Sequence, residues 1–150
     1  MTLTVLGIDP SHCLINGNWG PCDSGDLIDL RNPSDGTTLC AIARGGASDI
    51  DRAVNAADAS LNGPWGKLTN FERGRILQRI GTLVLENAEE LARLEALDVG
   101  KPLTQARADV TALARYMEFY AGAADKIHGT TIPYLDGYTV YTLREPHGVT

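Results

Sequence analysis

The 150-residue chain is poor in most of the residue patterns that announce chemistry. It has three cysteines, Cys13, Cys22 and Cys40, an odd number whose spacings match neither CxxC nor the common zinc arrangements. That argues against a disulfide scaffold and reads as free thiols. The three histidines, His12, His128 and His147, stand apart, with no HExxH and no His-Cys cluster to hold zinc. No GxGxxG follows a strand-like run and no GxxxxGK[ST] occurs; Gly45-Gly46 and Val99-Gly100-Lys101-Pro102 match neither phosphate-cradling pattern. Basic residues are scarce as well. Thirteen Lys and Arg against nineteen Asp and Glu give a formal charge of −6, with no basic face to neutralise phosphates, so nucleic acid and acidic membranes are not expected partners. No run approaches the ~20 apolar residues of a spanning helix. Met1 to Pro10 has no Lys or Arg before its short apolar run, which speaks against a secretory signal. The expectation is a soluble, cytoplasmic protein without internal repeats.

What is present is ordinary globular material, 43% hydrophobic and 21% charged, in a chain long enough to bury about 68–70% of its unfolded surface. The first 46 residues read as short strands joined by turns. Asn16-Gly17 predicts a hairpin over residues 12–20. Leu27 to Leu30 and Thr38 to Ala43 flank the turn signal Asn32-Pro33-Ser34-Asp35-Gly36, so a small antiparallel sheet is expected.

From Ser48 to Gly129 the apolar period lengthens to that of helices. Ser48 with Asp51 predicts a capping box for a helix presenting Ile50, Val54, Ala57 and Leu61 and stopping at Gly63-Pro64. Thr69 with Glu72 opens a second helix, with Ile76, Leu77, Ile80, Leu83 and Val84 inward and Arg73, Arg75 and Arg79 outward. Asn87 with Glu90 starts a third, presenting Leu91, Leu94 and Leu97 and ending near Gly100 and Pro102. The last and longest places Val110, Leu113, Met117, Tyr120, Ala121 and Ala124 on one side, with Gly129 as its C′ residue. Residues 138–143 then read as a strand, which either joins the N-terminal sheet or stays an edge open to another chain. The carboxylates Glu86, Glu89, Glu90 and Glu95 fit a solvated helix face. Asp98 is different: it lies at a helix C-terminus, where the dipole disfavours an anion, so a cation or backbone donors should compensate it, and Lys101 is the nearest candidate.

Nine short motifs, in order along the chain, resemble the aldehyde dehydrogenase superfamily. They are Ile15-Asn16-Gly17 with Trp19; Asn32-Pro33 with Gly36; Asp51-Arg52-Ala53-Val54 with Ala56-Ala57; Trp65; and Arg73-Gly74-Arg75 with Leu77. Then come Leu94 to Pro102; Tyr120-Ala121-Gly122 with Ala124-Asp125-Lys126; Gly129 with Ile132-Pro133; and Thr142 with Glu145-Pro146 and Gly148-Val149.

The resemblance implies an α/β fold in which residues 1–136 supply outer strands and helices of the NAD(P)-binding domain, mostly helical here, and residues 137–150 begin a strand of the oligomerisation domain. It implies NAD or NADP as cofactor, an aldehyde as substrate and a homo-oligomer, dimer or tetramer, as the assembly. It also implies a monovalent cation, K+ or Na+, held at Leu30, Arg31 and Asp98. The nucleophilic Cys, the general-base Glu and the nucleotide-binding units lie beyond Thr150 in the family pattern, so no catalytic or cofactor-binding residue is expected in this chain and the 150 residues are expected to be inactive alone. Cys40, in a strand with no base near it, does not substitute for the nucleophile. From the last helix, Met117 or Tyr120 would reach the aldehyde tunnel if they are not simply core. The alternative reading is a non-catalytic interaction module that pairs through its C-terminal strand.

Overall fold

The computed structural model describes residues 7–150; most of the N-terminal apolar run considered above lies outside them. Strands β1 (Cys13–Ile15) and β2 (Asn18–Gly20) form the expected hairpin. Both turn residues have positive φ, 51° at Asn16 and 76° at Gly17, which matches the right-handed twist of a two-residue hairpin and explains the Asn-Gly pair. Strands β3 (Leu27–Arg31) and β4 (Thr38–Ala43) form a second antiparallel ribbon, with a register shift between Leu30 and Arg31. Their connection is closed by its own side chains: Ser34 N donates to Asn32 Oδ1 at 2.9 Å, and Thr37 N to Asp35 Oδ1 at 2.9 Å. This second ribbon is the small antiparallel sheet expected from sequence, and it stays separate from the β1–β2 hairpin. Pro21, directly after β2, has no N–H to extend the ladder, and the chain turns away at once.

Helix α1 (Ala47–Asn62) starts two residues earlier than Ser48 and Asp51 suggest. Its N-cap is Gly46, and the carboxylate that reaches back is Asp49, which accepts from Gly46 N at 2.9 Å. Asp49 is only 3% exposed. It also accepts from Asp23 N at 3.2 Å and from the Arg52 guanidinium at 2.7 Å, and Arg52 bonds Asp23 in turn, so one buried carboxylate fastens the helix start to the loop after the hairpin. The stripe expected to face a core stays open, with Ile50 59% exposed. A short helix, α2 (Pro64–Lys67), follows, opened by Pro64.

Helices α3 (Asn70–Glu86), α4 (Ala88–Val99) and α5 (Leu103–Ala123) pack together. The Thr69–Glu72 capping box is present: Glu72 N donates to Thr69 Oγ1 at 3.2 Å and Thr69 N to Glu72 Oε2 at 2.7 Å. Gly74 and Gly81, two turns apart on α3, lie buried against α5. A Cβ added to Gly74 would fall 2.7 Å from the Ala121 carbonyl oxygen, and one added to Gly81 would fall 3.2 Å from that of Ala114. The buried centre is correspondingly fine-grained: Ala92, Ala106 and Val110, flanked by Val84, Ala88, Leu91, Ala96 and Leu103. This changes two expected faces. On α5 the buried row is Ala106, Val110 and Ala114, while Leu113 and Tyr120 are exposed; on α3, Ile76, Ile80 and Leu83 are exposed. Backbones this close admit only small side chains between them, and the larger apolar residues are displaced to the flanks.

Ion pairs pin α4 to α5. Arg107 grips both carboxylate oxygens of Glu89, at 2.9 and 2.8 Å, and Arg93 adds a bond at 3.1 Å. Asn87 does not cap α4 with its side chain; its Nδ2 donates to the Leu83 carbonyl at 2.8 Å and closes α3 instead. Helix α5 ends at Ala123, so Gly129 is not its C′ residue. That glycine serves another purpose. Strands β5 (Thr131–Ile132) and β6 (Val140–Tyr141) pair, and a Cβ at Gly129 would lie 1.8 Å from the Thr142 carbonyl oxygen, so only glycine lets the strands meet. The C-terminal strand thus has a partner upstream in its own chain and does not join the N-terminal ribbons, while its other edge pairs with no strand among the described residues.

Two predictions follow from the helix packing. In the full chain, Gly74→Val should lower stability by about 1–3 kcal/mol through overpacking against the α5 backbone, while Gly122→Ala, where an added Cβ meets nothing, should be neutral or slightly stabilising; denaturant melts measure both. Arg107 first, then Arg93, holds the Glu89 carboxyl down at about 2, so its contribution to stability is present above pH 4.5 and lost as pH falls towards about 2. Glu89→Gln should flatten the acid limb of the stability profile in that window, and an NMR titration of Glu89 should show the low midpoint directly.

Candidate functional site

The three residues proposed to hold a cation lie at the end of β3 and in the last turn of α4, next to two turns that the fold brings into contact. Leu30 is half-buried opposite Cys40, and Arg31 lies past the register shift at the end of β3. Asp98 is exposed in the last turn of α4. Gly100 ends that helix with φ 73°, and a Cβ there would lie 2.8 Å from Pro33 Cγ. The end of α4 therefore rests on the Asn32-Pro33 turn directly after Leu30 and Arg31. No hydrogen bond or ion pair engages the Asp98 carboxylate among the described residues. Lys101 does not compensate it as expected: its ammonium bridges Glu95 and Asp109, the latter at 2.7 Å, and those two carboxylates raise its pKa, Asp109 the more. Asp98 therefore presents an unengaged carboxylate at the end of α4, close to the turn that follows Leu30 and Arg31. No cluster of three or more His, Cys, Asp or Glu capable of holding a metal occurs among the described residues.

A nucleotide finds no such fit. Among the described residues, the strand-to-helix turn with paired glycines is Gly45-Gly46, between β4 and α1, and the Gly46 N–H there is already taken by the Asp49 carboxylate. An anionic group at that helix start would displace and face a buried negative charge.

The two tunnel candidates point to different surroundings. Met117 is half-buried, its Cβ set against Gly81 of α3. Tyr120 is 56% exposed and packs edge-to-face on Phe119, ring centroids 5.2 Å apart. With Tyr116 and Phe119 it lines an open apolar groove of about 630 Å³ along α5. Sequence reasoning missed Tyr116 and Phe119 because they fall off the stripe assigned to the core. Spaced four and one residues from Tyr120, they could have been found as a second, aromatic face.

The architecture is mixed α/β, packed helices preceded and followed by two-stranded ribbons. Residues 19–150 match the model of the aldehyde dehydrogenase family, and the chain belongs to that family. Aldehyde dehydrogenase family 2 member B4, mitochondrial, of Arabidopsis thaliana is 44% identical over 95% of this chain and 27% of its own length. Hydroxyisobutyraldehyde dehydrogenase of Mycolicibacterium austroafricanum is 44% identical over 94% of this chain and 28% of its own. The NAD+ complex of an aldehyde dehydrogenase from Bacillus cereus superposes with a TM-score of 0.86 at 36% identity, covering 95% of this chain and 29% of that one. The chain spans less than a third of the length of these relatives. No helix among the described residues is long and apolar enough to cross a membrane.

Gly100→Ala should separate the α4 end from Pro33, because alanine is strained at this φ and its methyl collides with the ring. A loss of about 1–2 kcal/mol from the left-handed conformation alone, read by denaturant unfolding of the full chain, is the expected result.

Proposed function

We propose that this segment is the N-terminal part of an NAD- or NADP-dependent dehydrogenase that oxidises an aldehyde to its carboxylic acid. In the complete enzyme a cysteine thiolate adds to the carbonyl, hydride leaves to the nicotinamide, and water hydrolyses the resulting thioester. These 150 residues contribute no reacting group and are inactive alone. Their part is structural: residues 1–136 form the outer layer of the NAD(P)-binding domain and residues 137–150 begin the oligomerisation strand of a dimer or tetramer.

One observation carries this reading. The chain exposes 11099 Å² of surface, whereas a folded monomer of its 16.1 kDa mass exposes about 7,400 Å². The excess includes Ile50 and Val54 on α1, Ile76 and Ile80 on α3, and Tyr116 and Phe119 on α5, all apolar residues that a further layer would cover. At the far end, Tyr138, Tyr141 and Leu143 are exposed on the segment assigned to oligomerisation. Around the cation, Leu30 and Arg31 supply backbone oxygens and Asp98 the charge, which fastens the β3–β4 turn to the end of α4.

The test compares the complete polypeptide carrying this sequence with the 150-residue chain, following aldehyde-dependent NAD(P)H formation. Activity in the former and none in the latter is expected; turnover by the 150 residues would overturn the assignment. In the complete enzyme, replacing K+ or Na+ by choline at equal ionic strength should lower the melting temperature, and Asp98→Asn should abolish that difference.

A further inference from the structure

The sulfur atoms of Cys13 and Cys22 lie 2.6 Å apart, and nothing in the proposed aldehyde chemistry uses them. Cys13 is the first residue of β1, paired with Gly20 across the hairpin; Cys22 follows two residues later, where the chain turns, with its carbonyl accepting from Gly25 N at 3.0 Å. Residues two apart on a strand share a face, so Gly20 leaves room opposite Cys13 for the Cys22 side chain to reach across. The two thiols differ in setting. Cys22 is buried; Cys13 is half-buried and lines an open groove of about 600 Å³ between the hairpin and α1. The Cys13 contact, burial and the nearby Asp49 charge together push the Cys22 thiol up to about 11, so it waits as a neutral partner. Cys40 lies on β4 and takes no part.

We propose that Cys13 and Cys22 are an oxidative modification site, a dithiol that a hydroperoxide converts reversibly into a disulfide closing the N-terminal hairpin. The Cys13 thiolate, reachable from the groove, attacks the O–O bond to give a sulfenic acid and releases the other oxygen as water or alcohol. Cys22 then gives up its proton and attacks the oxidised sulfur; the S–S bond forms and a water leaves. Two electrons pass from the thiol pair to the peroxide, and a small dithiol reverses the change. The sulfurs need move only about half an ångström to reach bonding distance. The bond would tie β1 to the loop that Asp23, Arg52 and Asp49 anchor to α1, so oxidation locks the hairpin onto the helix start.

The experiment treats the full chain with graded hydrogen peroxide, alkylates under denaturing conditions and maps the cysteines by mass spectrometry without reduction. No Lys or Arg lies between Cys13 and Cys22, so trypsin keeps both in one peptide, and further cleavage after Trp19 separates them unless they are bonded. Joint loss of both thiols, a linked pair of fragments, recovery of both by dithiothreitol, and Cys40 still alkylated are the expected results. Independent alkylation of Cys13 and Cys22, sulfinic acid at Cys13 beside an intact Cys22 thiol, or a link to Cys40 would each overturn the proposal. None of these outcomes depends on whether the complete enzyme oxidises aldehydes.

Discussion

The approach of the α3 backbone to that of α5 sets the terms for the rest of the molecule. Gly74 and Gly81 face Ala121 and Ala114 with no room for a methyl at the first of these contacts. Dispersion contacts between whole backbones replace the usual interdigitation of large side chains. The core that results is made of alanines, glycines and one valine, and its larger apolar residues lie at the edges, half covered. Such a core holds helices in register closely but removes rather little surface from water. Stability must then come in good part from what lies on the flanks.

Those flanks explain the shape of the charge network. The ion pairs with the clearest geometry are Arg107 with Glu89, which ties α5 to α4, and Lys101 between Glu95 and Asp109, which ties the α4 exit turn to both helices, around the small apolar cluster of Ala92, Ala106 and Val110. Exposed pairs of this kind contribute only modestly one by one. Their value here is directional, since they fix the rotation of α4 and thereby the place where its C-terminus meets the Asn32-Pro33 turn. The buried Asp49 does comparable work at the start of α1, with the difference that losing one of its partners would strand a charge in the interior.

Local features were legible in the chain to the extent that they depend on neighbours in sequence. Asn16-Gly17, Thr69 with Glu72, and the ribbon around Asn32-Pro33 formed as expected, because each is closed by backbone dihedrals and side chains within a few residues. The Leu94 to Pro102 stretch marked both a helix end and the family for the same reason. Where expectation failed, a distant partner decided. Which face of α5 is buried depends on Gly74 and Gly81 some forty residues away, and periodicity alone ranks Leu113 and Tyr120 above Ala106 and Ala114. Asp49 displaced Asp51 as the capping carboxylate because Asp23 and Arg52 gather around it. Lys101 turned from Asp98 because Asp109, one helix on, offers a second oxygen. The two turns beside the candidate cation site carried no residue pattern that would have joined them; the van der Waals contact between Gly100 and Pro33 does so.

Asn87 has one more consequence. As the single residue between α3 and α4, with its side chain spent on the Leu83 carbonyl, it makes a joint with no slack. Each residue added or removed there would turn α4 by about 100° about its axis, carrying Glu89 away from Arg107 and swinging the α4 end off its turn. Side chains along this segment can change one at a time, but its length cannot.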